Sequence, residues 1–137
     1  MYICNIMKKY YLEILTNKYA DFKGRARRKE YWMYSLFQVL IGFSLYLISF
    51  IFFTNVLDYD NEKGLYSSLL LFALFLMLHF IQNIAIAVRR LHDTGKSGWW
   101  YLLSLIPYIG PFILFILLVL ESSEEENQWG VNPKLID

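Results

Sequence analysis

The sequence contains two long runs without Asp, Glu, Lys or Arg, residues 34–57 and 65–88, and each has 24 residues. At about 1.5 Å per residue, an α-helix of that length extends roughly 36 Å, which exceeds the bilayer hydrocarbon core of about 30 Å. The chain is also 57% hydrophobic and only 18% charged, unlike an average soluble domain. These features predict an all-α, polytopic integral membrane protein.

A third uncharged run, residues 99–120, is interrupted by Pro107, Gly110 and Pro111. Proline removes a backbone donor and clashes with the preceding turn, so a helix should kink or break here. The run then forms either a bent span or a re-entrant pair of half-helices that returns to its side of entry. We favour the bent span, because each half has only about ten residues. The prediction is three transmembrane helices, the third kinked or re-entrant.

An amphipathic helix is predicted at residues 2–19, ahead of the first span. The residues that share one face at helical spacing are Ile3, Met7, Tyr10 and Ile14. Its lysines and tyrosines favour a position on the membrane surface. The alternative is a helix packed against the rest of the protein.

The chain therefore divides into three predicted regions. Residues 1–33 form a cytoplasmic segment with the amphipathic helix and a basic motif, residues 34–120 form the membrane domain, and residues 121–137 form an acidic tail. We expect the tail to be mobile over its acidic part.

The basic residues are distributed unevenly along the chain. Residues 1–33 hold eight of the thirteen Lys and Arg residues and the loop at 89–98 holds three, whereas the loop at 58–64 and the tail hold one each. By the positive-inside rule, the N-terminus and the 89–98 loop are cytoplasmic and the 58–64 loop is outside. A full third crossing puts the tail outside, and a re-entrant segment returns it to the cytoplasm.

Two basic motifs are thereby brought to the same membrane face. The first supplies Arg25, Arg28 and Glu30, and the second supplies Arg89, Arg90, His92 and Asp93. We predict a clasp made of Arg25, Glu30, Arg90 and Asp93. In it Glu30 pairs with Arg90, and Asp93 meets Arg25, because partial desolvation at the headgroup boundary strengthens such pairs. The alternative is that all four are solvated signals of topology.

Trp99 and Trp100 follow the second motif, where the chain re-enters the bilayer. Tryptophan favours the headgroup level, because its ring is apolar and its N–H prefers a wet partner. Basic clusters can bind nucleic acid, but these adjoin a membrane span, so the nearer polyanion is an anionic lipid headgroup. The lipid bilayer and its anionic headgroups are the predicted partners, and no nucleic acid is expected.

Within the second run, His79, Gln82 and Asn83 lie at i, i+3 and i+4 and share a helix face. Such groups must meet protein or water, since unpaired polar groups in lipid are costly. The functional interpretation is a proton- or substrate-handling site. We favour ordinary hydrogen bonding between helices, because the triad has no acidic partner.

A stripe of small and polar residues marks the first run. It comprises Ser35, Gln38, Gly42, Leu45 and Ser49 at heptad-like spacing. Small residues let helix backbones approach closely. The stripe should therefore face another helix, and it is a candidate interface with a second copy of the chain or another membrane protein.

Nothing in the sequence predicts an enzyme, a metal or a cofactor. There are two His residues and one Cys, Cys4, and no nucleophile, base or ligand set stands at diagnostic spacing. The adjacent His92 and Asp93 on a polar loop are typical of a capping or hydrogen-bonding element rather than a catalytic or metal-binding pair.

Three motifs nevertheless occur together in a recognisable order. They are Phe22-x-Gly24-Arg25-x-x-Arg28-x-Glu30-Tyr31-Trp32, Arg89-Arg90-Leu91-His92-Asp93-x-Gly95-x-Ser97-Gly98-Trp99-Trp100 and Asn127-x-Trp129-Gly130-x-Asn132-Pro133. In this arrangement the chain resembles the YhaH/YhaI-like small bacterial inner-membrane proteins, the domain-of-unknown-function family 805. The last motif departs from the family pattern at Trp129. The resemblance implies a bacterial inner-membrane location and this architecture, and it supplies no catalytic residues.

Three classes of function are compatible with these features. We favour a structural or partner- and lipid-binding membrane module. A transporter or channel component is the alternative, for which the broken third segment is the best feature and oligomerisation is required, because three spans bury little interior. A membrane enzyme is the third and weakest class.

Overall fold

The computed structural model describes residues 2–123 and 126–135. In chain order, the helices are α1 (Tyr2–Met7), a π-helical turn (Lys8–Leu12), α2 (Glu13–Asn17), α3 (Arg28–Asn55), α4 (Asn61–Asp93), a 3-10 helix (Gly98–Leu105) and α5 (Ile109–Val119). The tail adds two short antiparallel strands, β1 (Glu126–Asn127) and β2 (Gly130–Val131), and a 3-10 turn (Pro133–Leu135). About three quarters of the described residues are therefore helical.

Two helices, α3 and α4, are long and apolar enough to cross a membrane. They have 28 and 33 residues. In the most apolar 18-residue stretch of each helix, only 11% and 22%, respectively, is buried inside the protein. A core helix of a soluble protein would bury such a surface. The first two predicted spans thus coincide with real helices, which continue past the apolar runs into their polar flanks.

The chain separates into two compact units. The head unit combines Met1–Tyr34 with Gln82–Asp137, and the paired-helix unit is Ser35–Ile81. All the basic residues except Lys63 belong to the head unit. One apolar cluster in this unit consists of the buried residues Leu91, Leu114 and Leu118.

The third predicted span is not confirmed, because residues 99–120 do not form one bent helix. Residues 98–119 form two short helices, and the second one returns: Arg90 near the end of α4 donates a hydrogen bond to the Leu118 carbonyl at 3.0 Å. The reversal occurs at Tyr108, whose φ of 64° is unusual for a non-glycine residue. Gly110 then lets the two helices touch, because a Cβ there would lie 1.7 Å from the Leu103 carbonyl oxygen. The backbone follows the alternative prediction, a pair of half-helices.

The N-terminal segment is helical, as predicted, from Tyr2 to Asn17. Its buried face is formed by Tyr11 and Ile14, which are 4% and 1% exposed, rather than by Tyr10 and Ile14. The π-helical turn explains the shift, since i→i+5 bonding adds a residue to one turn. Tyr11 stacks on Tyr34 with ring centroids 5.6 Å apart. The segment thus packs on the head unit, as in the alternative, and its position on a membrane surface stays a prediction.

Candidate functional site

The predicted meeting of Arg25 and Asp93 is present as a buried ion pair. Arg25 lies in the loop before α3, and Asp93 is the last residue of α4. Arg25 Nε donates to Asp93 Oδ1 at 3.0 Å, and the two side chains are 1% and 0% exposed. The other guanidinium nitrogens donate to the carbonyls of Ser123 at 3.0 Å and Gly130 at 3.1 Å. Arg25 therefore joins the end of α4 to the tail.

Arg90 completes the buried charge cluster from the other side. Its Nη1 donates to Asp93 Oδ2, one helical turn further along α4. Its Nε donates to the Leu118 carbonyl at 3.0 Å, and its Nη2 donates to the Leu120 carbonyl. The last carbonyls of a helix have no partner within the helix, and an arginine is well suited to satisfy them. Arg90 thus fixes the end of α5.

We call Arg25, Arg90 and Asp93 the arginine clasp. Asp93 accepts from both guanidinium groups and from the Ser122 hydroxyl at 2.7 Å. One carboxylate faces two cations, so the clasp carries a formal charge of +1, which the surrounding carbonyl dipoles help to stabilise. All three side chains are buried. The desolvation cost of burying these charges is offset only because each of them is paired and hydrogen-bonded.

The predicted partner of Glu30 is wrong by one residue. Glu30 pairs with Arg89, whose Nη1 lies 3.3 Å from Glu30 Oε1, and Lys18 Nζ lies 3.6 Å from the same oxygen. Adjacent helical residues point about 100° apart, so Arg89 and Arg90 meet different neighbours. Among the described residues, Arg89 Nε and Nη2 have no hydrogen-bond partner.

Arg28 lies at the rim rather than in the clasp. Its side chain is 41% exposed and pairs with Glu121, the first residue of the acidic tail. Lys134 also pairs with Glu121. The hydrogen bond from Lys134 and, to a smaller extent, the positive charge of Arg28 hold the pKa of the Glu121 carboxyl below its usual value. The predicted mobility at Glu124 and Glu125 lies outside the described residues.

His92 anchors the tail to the loop before α3. Its Nδ1 lies 3.2 Å from the Gly24 carbonyl oxygen, and its ring stacks on Trp129 with centroids 4.5 Å apart and planes at 8°. The Asn127 side-chain amide donates to the His92 carbonyl at 3.0 Å. This arrangement uses His92 for stacking and hydrogen bonding.

Trp99 and Trp100 lie at the start of the 3-10 helix, next to the clasp in the chain, and both side chains are exposed, at 77% and 44%. Lys96 Nζ lies 6.0 Å from the centre of the Trp100 ring, within reach of a cation–π contact. The pair therefore presents an aromatic surface beside a cation.

The predicted polar triad of His79, Gln82 and Asn83 has different surroundings at each residue. His79 Nδ1 lies 2.8 Å from the Phe75 carbonyl oxygen of its own helix. Gln82 is fully buried and accepts a hydrogen bond from the Tyr34 hydroxyl at 3.0 Å. Asn83 is half-buried. The bond between Tyr34 of α3 and Gln82 of α4 is of the interhelical kind that we favoured.

The small-residue stripe meets a helix of the same chain. A Cβ on Gly42 would lie 2.9 Å from a Phe75 ring carbon and 3.1 Å from a Phe72 ring carbon, so α3 and α4 approach closely there. Ser35 and Gln38 instead line a cavity of about 520 Å³ in the paired-helix unit. At Gly42, therefore, the close contact of the stripe is intramolecular.

Sequence reasoning missed the hydrogen-bonding groups that the tail supplies. Ser122 and Ser123 bind Asp93 and Arg25, and Asn132 donates to the Ser123 carbonyl at 3.3 Å. Backbone carbonyls leave no trace in a sequence. The available signal was the motif from Asn127 to Pro133, whose Asn and Gly residues favour the turns that bring this segment back.

The chain is similar to two curated proteins of Escherichia coli (strain K12). It is 38% identical to inner membrane protein YhaI over 125 residues, which cover 91% of this chain and 95% of the relative. It is 39% identical to inner membrane protein YhaH over 126 residues, which cover 92% and 97%. No solved structure matches the chain.

The family comparison covers both basic motifs and most of the last one. It matches residues 19–131, which include the clasp, the two long helices and the returning segment. Together with the relatives, the match establishes a bacterial inner-membrane protein. The chain belongs to the family described as protein of unknown function DUF805.

Proposed function

We propose that this protein is a non-catalytic inner-membrane module whose cytoplasmic surface binds anionic phospholipid headgroups. The observation that carries the proposal is a division among the basic residues of the head unit. Arg25, Arg89 and Arg90 are buried, whereas Lys23 and Lys29 of the first motif are exposed. These three arginines order the surface, and the two lysines remain on it.

The different chemistry of the two side chains supports this division. Arginine offers a planar fork of donors that several carbonyl and carboxylate oxygens can satisfy, so it suits a buried network. Lysine is a strongly hydrated point charge on a flexible stem, which can follow mobile headgroups. Near a negatively charged leaflet such a residue contributes about 1 kcal/mol of attraction.

The orientation follows from the same residues. The loop before α3, the end of α4 and the tail all meet at the clasp, and the head unit holds every basic residue except Lys63. By the positive-inside rule, this whole surface is cytoplasmic. The exposed rings of Trp99 and Trp100 are suited to the headgroup level on that side.

The test measures lipid selectivity in reconstituted vesicles of phosphatidylglycerol and phosphatidylcholine. We expect spin-labelled phosphatidylglycerol to be enriched around the protein, and the double change Lys23→Gln/Lys29→Gln to reduce the enrichment. The matched control is Lys63→Gln, which alters an exposed lysine of the paired-helix unit. Raising the salt concentration should reduce the enrichment, because ions screen exposed charges beyond about 10 Å at 0.1 M.

Two results would reject headgroup binding. One is unchanged enrichment in the double variant. The other is an equal loss in Lys63→Gln, which would show that total charge, rather than the cytoplasmic surface, sets the selectivity.

A further inference from the structure

The segment from Gly98 to Leu120 begins and ends at the same place. At its start, a Cβ on Gly98 would lie 2.7 Å from Val88 Cγ1 of α4. At its end, Arg90 of α4 binds the Leu118 and Leu120 carbonyls. Both ends therefore contact the last turns of one helix. We call this segment the apolar hairpin.

The two arms of the apolar hairpin are equal in length. The first is a 3-10 helix of 8 residues, which at about 2.0 Å per residue rises roughly 16 Å. The second, α5, has 11 residues, which at about 1.5 Å per residue also rise roughly 16 Å. This is about half of a hydrocarbon core of roughly 30 Å. The reversal at Tyr108 thus lies about one leaflet away from the clasp.

Two contacts show the direction in which the hairpin points. Arg28 Nη1 donates to the Val119 carbonyl at 3.4 Å. One turn further along α3 and one turn earlier in α5, Trp32 packs edge-on against Phe115 with ring centroids 5.7 Å apart. The start of α5 therefore lies further along the direction of α3 than its end does. The hairpin therefore points along the first turns of α3 in the direction from Arg28 to Trp32.

The surface of the hairpin suits hydrocarbon rather than water. Residues 99–120 contain no Asp, Glu, Lys or Arg. The side chains around the tip are strongly exposed, at 93% for Tyr108, 76% for Leu105, and 66% each for Ile109 and Phe112. A patch of this kind marks a surface that is covered by an apolar partner. Burying it is favourable by roughly 25 cal/mol for each Å² removed from water.

We propose that the apolar hairpin inserts into the acyl chains of one leaflet only, the leaflet whose headgroups surround Arg28, and ends near the bilayer midplane. The exposed Trp99 and Trp100 then lie at its base, at headgroup depth. The tail then returns to the side of the N-terminus. This inference requires a membrane location but does not depend on binding of anionic headgroups.

The test measures depth in reconstituted vesicles. In a Cys4→Ser background, a fluorophore is attached to Tyr108→Cys or to the control Trp99→Cys, and quenching by lipids with nitroxides at the chain end or near the headgroup is compared. We expect the chain-end nitroxide to quench at position 108 and the headgroup nitroxide to quench at position 99. If the variant at position 108 fails to fold, Phe112→Cys, one turn from the tip, serves as the probe instead. We expect it to lie at an intermediate depth.

Sidedness provides the second measurement. A membrane-impermeant thiol reagent should label Lys134→Cys and Lys23→Cys from the same side, and Tyr108→Cys from neither. The proposal is overturned if position 108 is labelled from the side opposite to position 23, if it is quenched at headgroup depth, or if position 134 is labelled from the opposite side.

Discussion

Replacing Asp93 by asparagine removes the only negative charge of the arginine clasp while keeping the size of the side chain. Asp93 accepts from Arg25, Arg90 and Ser122, and its side chain is completely buried. Asparagine retains one acceptor oxygen but turns the other position into a donor. That donor then faces a guanidinium or a hydroxyl, and two buried cations are left without a counter-charge.

The size of the effect follows from the burial of all three groups. Removing one partner of a buried ion pair costs about 3–5 kcal/mol, because the remaining charge stays uncompensated. For a chain of this length, each kcal/mol corresponds to a shift of the melting temperature by about 3–5 °C. We therefore expect Asp93→Asn to lower the melting temperature by about 10–20 °C.

The assay is thermal unfolding of the purified protein in a mild detergent, followed by circular dichroism. The control Asp60→Asn removes the negative charge of an exposed pair in which Lys63 Nζ lies 2.9 Å from Asp60 Oδ2. It should change the melting temperature little, because exposed pairs contribute little. In the double variant Arg25→Gln/Asp93→Asn, the loss should be smaller than the sum of the single losses. A melting temperature for Asp93→Asn equal to that of the wild type would refute the idea that the clasp stabilises the fold.

Three further outcomes are expected. Gly110→Ala should destabilise the apolar hairpin by about 1–3 kcal/mol or more, since its Cβ would overlap a backbone carbonyl; protease cleavage within the hairpin should then be faster. Gly42→Leu should separate α3 from α4 and lower the melting temperature more than Phe43→Leu, a change at a side chain that is 59% exposed; equal melting temperatures would contradict the close contact. The pKa of Glu121 lies below its ordinary value of 4.5, because of the hydrogen bond from Lys134 and the nearby guanidinium charge. The ionised carboxylate therefore stabilises the tail above that value, and this stabilisation is lost as the pH falls through the lowered pKa. Hydrogen exchange of the tail, compared at pH 6 and pH 3, would detect the loss.

The two long spans could be predicted because their signal is carried by many residues at once. A run of 24 uncharged residues has few alternatives to a membrane helix. Polar caps extend these helices beyond the runs; for example, Asp60 Oδ1 accepts from the Lys63 backbone N–H at 2.8 Å at the start of α4. Such an extension depends on single hydrogen bonds, which a count of apolar residues does not detect.

The third segment was harder to predict, because its path is decided by a few local contacts. Two prolines predict an interruption but do not say whether the chain continues or reverses. The reversal depends on the positive φ of Tyr108 and on the approach of Gly110 to the Leu103 carbonyl. Neither follows from hydropathy, and positive φ at a tyrosine is not expected from its sequence preferences.

The clasp shows a similar limit at the level of single side chains. The charges of Arg25 and Asp93 and their predicted position on the same membrane side were sufficient to predict that the two residues meet. They are 68 residues apart in the chain. Charge and membrane side were insufficient to distinguish Arg89 from Arg90 as the partner of Glu30, because that choice depends on the rotation of α4 about its axis. The orientation of a helix is fixed by packing, here of Leu91 against Leu114 and Leu118, and no periodic pattern in a mostly apolar helix reveals it.

The structure also explains why three separate motifs occur together in one sequence. The first motif supplies Arg25, the middle motif supplies Arg90 and Asp93, and the last motif supplies the Gly130 carbonyl that accepts from Arg25 at 3.1 Å. Each buried cation therefore needs groups from at least two parts of the chain: Arg25 needs the carboxylate of α4 and the tail, and Arg90 needs that carboxylate and the end of α5. An unpaired buried charge is strongly destabilising. If one of these parts of the chain detached from the clasp, it would leave a buried charge on another part without its partner. The last motif is thus part of the same folded element as the two basic motifs, although in the sequence it follows an acidic stretch that suggests a mobile tail.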